Sequence, residues 1–246
     1  KPAPEERPVH SPAVRHSVVA WSGSSVSATR TFSVTRDWKV LADVEDPAGD
    51  DSGPAGKYTY PTDAGWGSNR QMDIRRVKIS GAGGAMKIDL TMNKVTTTWR
   101  PQNEFDHVAF TLFIEIPNRS GGAAVMPLQN GSIPSGMRWH YRLRANGWTN
   151  ALFSSAGASA TSDGTPATPA AEIQVDHARN TVSFVLPASA LGGLTSLSGA
   201  KIYVTTWDYD GGYRTLGAEA LGMSMGGGNM ATDPLVMDAA SVITLP

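Results

Sequence analysis

The sequence predicts an all-β protein, an antiparallel β-sandwich, and three observations lead to this fold class. The chain has 26 glycines and 16 prolines among 246 residues, together well above the roughly 12% that is typical. Charged residues make up only 17% of the chain, below the usual share of about 25%. Several segments alternate apolar and polar residues with a period of two, which is typical of half-buried antiparallel strands. Short strands joined by long loops suit two sheets that share one core.

The amino-terminal region differs from the rest of the chain. Its first dozen residues, KPAPEERPVHSP, are rich in proline and charge and are typical of a linker or disordered tail. Three short stretches with β character follow between Val14 and Val44, with the sequences VRHSVVAW, ATRTFSV and WKVLADV. These stretches predict short strands before the first long loop.

Two central segments show the strand alternation most clearly. In AMKIDLTM, the apolar side chains of Met86, Ile88, Leu90 and Met92 point one way while the polar ones point the other. In HVAFTLFIEI, every second residue is apolar and the phase is the same. Both segments are predicted to be strands with one face in the core.

Shorter patterns predict the remaining elements. Asp176–Asn180 is predicted to be a hairpin turn, Pro187–Leu191 a single helical turn, and the small-residue segment Ser154–Ala171 an exposed loop. The later strands are predicted at Trp139–Arg144, Ala171–Val175, Thr181–Leu186, Lys201–Trp207 and Leu235–Leu245.

The overall composition excludes several classes of function. The formal net charge is −1, which argues against a protein that binds nucleic acid or an anionic membrane through bulk charge. Cysteine is absent, which excludes disulfides, cysteine-ligated zinc and a thiol nucleophile. No apolar run approaches the roughly 20 residues of a membrane helix, so no membrane insertion is expected. High Ser, Thr and Gly with low Lys favour a secreted, periplasmic or cell-surface protein.

Carboxylates crowd the loop DPAGDDSGPAGKYTYPTD, and this predicts a metal site. Four carboxylates within eighteen residues repel one another unless a cation lies among them. Calcium fits best, because it accepts six to eight hard oxygen ligands and tolerates irregular loops. The alternative is a solvated acidic loop in which aspartates act as turn residues. The predicted ligands of a structural calcium ion are Asp46, Asp50, Asp51 and Asp63.

Tryptophan and tyrosine residues in or beside loop-like segments suggest carbohydrate binding. Sugar rings stack their C–H faces on aromatic planes, while their hydroxyls bond to carboxylates and guanidinium groups. The alternative for each single ring is packing in the core. The wider aromatic set is Trp66, Trp99, Trp139, Trp148, Trp207 and Tyr209.

The segment KIYVTTWDYDGGYR offers the most concentrated candidate sugar site. Alternation along the strand places Tyr203, Thr205 and Trp207 on one face, and two glycines then favour a turn at the end of the sandwich. Trp99, just before Arg100, is expected at another strand end on the same rim. The predicted sugar-binding residues are Trp99, Trp207, Asp208, Tyr209, Asp210 and Arg214.

Catalytic motifs are absent from the sequence. The five histidines show no HExxH or other metal-ligand spacing, and neither GxSxG nor a phosphate-binding loop occurs. Asp208 and Glu115 could form a glycosidase pair, but sequence does not set their separation. We therefore expect no enzyme activity and no catalytic residues in this chain.

At the level of family, the chain resembles the C-terminal module of glucodextranase. The segments that carry the resemblance are DPAGDDSGPAGKYTYPTD, MDIRRVKIS, LFIEIP after Phe105, TWDYDGGYR and DPLVMDA. This module belongs to the DOMON or family-9-like carbohydrate-binding superfamily. The resemblance covers about Leu41–Pro246, so residues 41–246 are the expected β-sandwich module. Residues 1–40 are then a linker or the tail of a preceding domain, in which strands could also pack.

The resemblance implies a non-catalytic module that binds a starch-like α-glucan and accompanies a glycoside hydrolase. Such modules occur on extracellular bacterial amylolytic enzymes such as α-amylase and pullulanase relatives, so the catalytic domain is expected in the same polypeptide. Two alternatives stay open. One is a haem-binding DOMON-type redox domain, since the chain has nine methionines, although several lie on alternating apolar faces. The other is a structural or cell-surface attachment module.

Overall fold

The computed structural model describes residues 14–18, 21–22, 25–26, 30–34 and 36–246, with side chains from residue 36 onward. The chain divides into two units, Lys1–Lys39 and Val40–Pro246. The predicted linker, residues 1–12, lies outside the described residues.

The first unit contains two short antiparallel pairs of strands. The pairs are β1 (Val14–Val18) with β4 (Arg30–Val34), and β2 (Trp21–Ser22) with β3 (Ser25–Val26). They fall within the two early stretches VRHSVVAW and ATRTFSV and the short segment between them.

The second unit has two antiparallel sheets, which confirms the predicted all-β sandwich. One sheet has five strands in the order β14-β15-β7-β6-β5. Its strands are β5 (Lys39–Glu45), β6 (Ile74–Ala82), β7 (Ala85–Met92), β14 (Glu172–Asp176) and β15 (Thr181–Leu186).

The other sheet has seven strands, with the order β13-β12-β11-β8-β16-β17 and β18 paired to β16. A two-stranded ribbon, β9 (Val125–Met126) with β10 (Gly131–Ser132), lies between its strands in sequence. The seven strands are β8 (Ala109–Glu115), β11 (Tyr141–Ala145), β12 (Asn150–Ser154), β13 (Thr165–Ala167), β16 (Lys201–Trp207), β17 (Asp238–Ala239) and β18 (Ile243–Thr244).

The predicted alternation defines the main core. In β7 the side chains of Met86, Ile88, Leu90 and Met92 are all buried, while the residues between Met86 and Met92 that point the other way are half-buried. Central strand β8 is buried on both faces, because a second apolar cluster covers its outer side. That cluster consists of Phe113, Met126, Ile133, Met137, Trp139 and Val236. Seven of the nine methionines are at most 3% exposed, so most methionines in this chain fill the core.

Two segments differ from the sequence prediction. Residues 154–171 are not wholly a loop, because Thr165–Ala167 forms the edge strand β13, where Pro166 is tolerated since edge strands have one unpaired side. The predicted strand Leu235–Leu245 is two short strands, β17 and β18. The predicted helical turn is a short 3₁₀ helix at Ala188–Leu191. Among the described residues, no helix has the length and apolar character that crossing a bilayer requires.

The connections that carry the candidate residues leave the sheets at one end, which we call the loop end. Trp207 at the end of β16 lies opposite Ala109 at the start of β8, and Ile74 at the start of β6 lies opposite Met92 at the end of β7. The Ile74 amide donates a hydrogen bond to the carboxylate of Asp238, which joins the two sheets there. The loop end comprises residues 46–73, 93–108, 146–149 and 208–237.

Candidate functional site

Two tryptophan rings form an exposed pair at the loop end, which we call the aromatic ledge. Trp99 and Trp148 are 40% and 41% exposed, and no other tryptophan, tyrosine or phenylalanine among positions 36–246 reaches that exposure. Their ring centroids are 5.9 Å apart and their planes are inclined by 37°. Aromatic rings of this size are usually mostly buried, so a paired exposed surface of this kind marks a candidate binding surface.

Close packing of two loops places Trp148 beside Trp99. The Asn146 side chain accepts a hydrogen bond from the Trp148 amide at 2.9 Å, which defines the turn. Asn103 binds the same turn through its backbone N–H, which donates to the Gly147 carbonyl at 3.0 Å, and through its side chain, which donates to the Asn146 carbonyl at 2.7 Å. A Cβ at Gly147 would lie only 2.5 Å from the Phe105 carbonyl oxygen. Glycine is therefore required for this close approach.

Buried rings support the ledge from below. The Trp99 ring centroid lies 5.0 Å from that of Trp66 and 4.3 Å from that of His107, both of which are 2% exposed. Asp106 fixes the arrangement, because its carboxylate lies 2.8 Å from His107 Nδ1 and accepts the Trp99 amide N–H at 2.6 Å. Burial alone would raise the pKa of Asp106, but hydrogen bonds from His107, Thr96 and the Trp99 amide outweigh it and lower that pKa.

The predicted turn after β16 adjoins these rings. Arg214 stacks its guanidinium 4.9 Å from the Trp66 ring centroid and donates from Nε to the Asp208 carboxylate at 2.8 Å. The Trp66 indole N–H also donates to Asp208, at 3.2 Å. Asp210 is 55% exposed at its side chain and lies 3.8 Å from Arg214 Nη2. Asp208 and Arg214 are thus committed to an internal ion pair, while Asp210 offers its carboxylate to solvent.

Two predicted sugar-binding rings lie elsewhere. Trp207 is 1% exposed because Tyr58 packs edge-on against it at 5.8 Å, and its indole N–H donates to the Arg214 carbonyl. It is therefore a core residue and lies outside the ledge. Core packing is the alternative to sugar binding that the sequence leaves open for each ring. Tyr209 is half-buried between the Tyr213 ring at 5.0 Å and the Arg144 guanidinium at 4.4 Å.

A cluster of carboxylates lies at the loop end, and we call it the acidic cluster. Asp46, Asp50 and Asp238 each have an oxygen within 4.8 Å of the others. Burial, together with the charge of Asp50 and Asp73, raises the pKa of Asp46 to about 6. Burial, together with the charges of Asp50 and Asp46, raises the pKa of Asp238 to about 7. In both residues, burial is the main cause of the higher pKa and the neighbouring carboxylates add to it.

The other two predicted metal ligands do not join this cluster. Asp51 is 1% exposed and is bound by the Arg70 guanidinium and by the Tyr60 hydroxyl at 2.5 Å. Asp63 accepts a hydrogen bond from the Gly65 amide at 2.8 Å, as a turn residue does. Of the four predicted ligands, the structure brings together Asp46 and Asp50.

A comparison with protein families gives the relationship of this chain to known modules. The family described as the C-terminal, SLH-like binding module of glucodextranase matches residues 41–243. The chain belongs to this family. The match confirms the resemblance found in the sequence, and it supports a binding role rather than a catalytic one. No curated protein matches the chain.

The glucodextranase-type module also contains functional candidates that the sequence prediction missed. Trp148 belongs to the wider aromatic set but is not among the predicted sugar-binding residues. Asn146 and Gly147 before it are a strong signal for a hairpin turn that presents the next residue at a strand end. Asp238 is not among the predicted metal ligands. It lies far from Asp46 and Asp50 in sequence, and only the pairing of β17 with β16 brings it to the loop end.

Proposed function

We propose that this chain is a non-catalytic carbohydrate-binding module that binds a starch-like α-glucan at the aromatic ledge. The module accompanies the catalytic domain of an extracellular bacterial glycoside hydrolase in the same polypeptide. The exposed pair of Trp99 and Trp148 is the observation that carries this proposal. Membership in a family of glucodextranase binding modules supports the choice of polysaccharide.

The tilt between the two rings favours a curved glucan chain. Rings inclined by 37° cannot both lie flat on one plane, so they fit a flat crystalline polysaccharide face poorly. A flexible, helical α-glucan can turn successive sugar units toward each ring in turn. Stacking on a ledge that is already held by Trp66, His107 and Asp106 requires little ordering of the protein on binding.

Polar groups around the ledge provide for the sugar hydroxyls. The exposed carboxylate of Asp210 lies next to Arg214, whose guanidinium stacks on the Trp66 ring that supports Trp99. Arg100 and Glu104 are exposed in the same connection as Trp99. These side chains supply both donors and acceptors, as a polyhydroxylated ligand requires.

Attachment to the cell surface is a second candidate function. The SLH-like description of the family favours it, because an SLH-like module suggests a location at the cell surface. The ligand would then be a cell-wall polysaccharide rather than the enzyme's substrate. The ledge would serve either ligand, so the two functions differ in which polysaccharide binds more tightly.

The test is a binding isotherm of the full chain on insoluble starch, with isolated bacterial cell walls as a parallel adsorbent. Trp99→Ala and Trp148→Ala should each weaken starch binding by about 5- to 150-fold, since losing a stacking ring costs roughly 1–3 kcal/mol. Tyr141→Ala is the matched control, because this half-exposed ring lies at the opposite end of β11 from the ledge. Its starch binding should equal that of the parent.

Melting temperatures measured on the same samples separate lost binding from lost folding. Starch binding by the parent together with its loss in both folded tryptophan variants supports the proposal. Binding to cell walls alone favours the attachment function. Absence of binding to either polysaccharide, or equal starch binding by all variants, contradicts it.

A further inference from the structure

We propose that Asp46, Asp50 and Asp238 bind a calcium ion that joins the two sheets at the loop end. The inference concerns the acidic cluster and is independent of the proposed sugar binding. It also moves the site away from Asp51 and Asp63, which the sequence favours.

The spacing of the three carboxylates suits one ion. Their nearest oxygens all lie within 4.8 Å of one another, and oxygens on opposite sides of a calcium ion are about 5 Å apart. Gly49 lies between Asp46 and Asp50 with a φ of +82°, a conformation that favours glycine. A turn at residues 48–49 separates Asp46 from Asp50, and the carboxylates of both lie near that of Asp238.

Buried oxygens without partners provide the independent observation that points to a ligand. Asp73 is 1% exposed, and its Oδ1 has no hydrogen-bond partner. Its Oδ2 accepts the Gly49 amide N–H at 3.1 Å and lies 3.7 Å from Arg70 Nε, so this carboxyl group lies against the loop that carries Asp46 and Asp50. The charge of Asp73 acts on Asp46, whose own Oδ2 is also buried without a partner. A buried carboxylate oxygen without a partner is costly, and a cation would remove that cost.

The nearby arginines do not neutralise the three proposed ligands. Arg70 pairs with Asp51 and lies near Asp73, and Arg75 Nη1 lies 4.0 Å from Asp73 Oδ2. These two arginines therefore pair with the neighbouring carboxylates Asp51 and Asp73 and not with the three proposed ligands. The contrast with Asp51 shows that this fold uses an arginine where it needs to balance a carboxylate internally.

The chemistry of the ligands selects calcium. All three groups are carboxylates, which are hard oxygen ligands, and histidine and cysteine take no part. Asp46 and Asp50 lie in an irregular loop rich in glycine and proline, whose carbonyls can complete a coordination of six to eight. Magnesium requires a near-ideal octahedron and sheds water reluctantly, so carboxylates held in an irregular loop suit it poorly.

The position of the cluster gives the ion a structural role. Asp46 follows β5 of the five-stranded sheet, and Asp238 is the first residue of β17 in the seven-stranded sheet. Asp238 already accepts the amide N–H of Ile74, the first residue of β6, at 2.7 Å. An ion shared by Asp46, Asp50 and Asp238 would thus add a second link between the sheets where long loops leave them.

The test is calorimetric titration of calcium chloride into the full chain after treatment with chelator and desalting. We expect one calcium ion per chain. Asp50→Asn should weaken binding at least tenfold, and Asp238→Asn should do the same. Asp63→Asn is the matched control, since it removes a carboxylate from the same loop but outside the cluster, and its affinity should equal that of the parent. Magnesium should bind at least tenfold more weakly than calcium.

Melting temperatures provide the second measurement. Calcium at about 100 times its dissociation constant should raise the melting temperature of the parent by about 5 °C or more. At the same calcium concentration, this rise should fall by about half or more in Asp50→Asn. Asp50 is exposed, so this variant is expected to fold, which its melting transition will verify. The proposed site is contradicted if the titration shows no heat of calcium binding and calcium leaves the melting temperature unchanged. Parent-like calcium affinity in Asp50→Asn, or an equal loss in Asp63→Asn, also contradicts it. Starch binding is measured separately, so its failure leaves this result unaffected.

Discussion

The aromatic ledge and the acidic cluster lie at the same end of the sandwich but are built in opposite ways. The ledge exposes two apolar rings, and internal hydrogen bonds hold groups beneath them. The Trp66 indole N–H donates to Asp208, and Asp106 accepts the Trp99 amide N–H. In the cluster, Asp46 Oδ2 is buried without a hydrogen-bond partner, and so is Oδ1 of the adjacent Asp73. The first arrangement calls for an apolar surface and the second for a cation. The two proposed sites at this end of the β-sandwich therefore differ in what the fold exposes and in what it leaves without a partner.

The largest expected effect tests which tryptophan rings belong to the ledge and which belong to the core. Trp207→Ala should lower the free energy of unfolding by about 3–5 kcal/mol, because it removes a large, fully buried ring. Trp148→Ala should cost far less, since that ring is 41% exposed. Urea unfolding of both variants measures the difference. Equal losses would mean that Trp148 belongs to the core and that the ledge is wrongly defined.

The next effect concerns how the ledge is positioned. Gly147→Ala places a Cβ 2.5 Å from the Phe105 carbonyl oxygen and 2.7 Å from Pro101 Cβ, so the turn that carries Trp148 must move. We expect about 1–3 kcal/mol of destabilisation and roughly tenfold weaker starch binding. Gly222→Ala is the control, because a Cβ there meets no atom within 4 Å. Parent-like binding by Gly147→Ala would show that the position of Trp148 does not matter.

A smaller effect is expected from Arg214, which stacks on the Trp66 ring beneath the ledge. Arg214→Lys keeps the charge beside Asp208 but loses the planar stack on Trp66. Starch affinity should fall by about threefold, since roughly 0.5–1 kcal/mol of cation–π contact that supports the ledge is removed. Affinity electrophoresis in gels that contain soluble starch measures this. If Arg214→Lys migrates in these gels like the parent, the stack of Arg214 on Trp66 does not contribute to starch binding.

The smallest effect is expected where the two sites meet. Chelation of calcium should lower the melting temperature but change starch affinity by less than about twofold, because the ledge is held by its own hydrogen bonds. Starch isotherms with calcium and with chelator test this below the melting transition. A loss of starch binding on chelation would show that the acidic cluster positions the ledge.

Local patterns predicted much of the fold and only part of the sites. The strands Thr181–Leu186 and Lys201–Trp207 follow from their own sequences, because alternation is a local property that burial enforces. The alternation argument placed Trp207 on the sugar-binding rim, but at the end of β16 the loop with Tyr58 covers its ring. Asp238 joins Asp46 only through long-range strand pairing, which a single sequence does not reveal. Composition could suggest the chemistry at the loop end, while tertiary packing decides which residues perform it.

The central claim is that a starch-like glucan binds at the aromatic ledge. Its most direct test is a titration of the ¹⁵N-labelled full chain with maltoheptaose, followed by nuclear magnetic resonance of the tryptophan indole N–H signals. Individual tryptophan substitutions assign these signals. The account predicts that the signals of Trp99 and Trp148 move in a saturable way, while those of the buried Trp139 and Trp207 stay in place. Saturable shifts that leave Trp99 and Trp148 unmoved, or the absence of any shift at millimolar maltoheptaose, would contradict it.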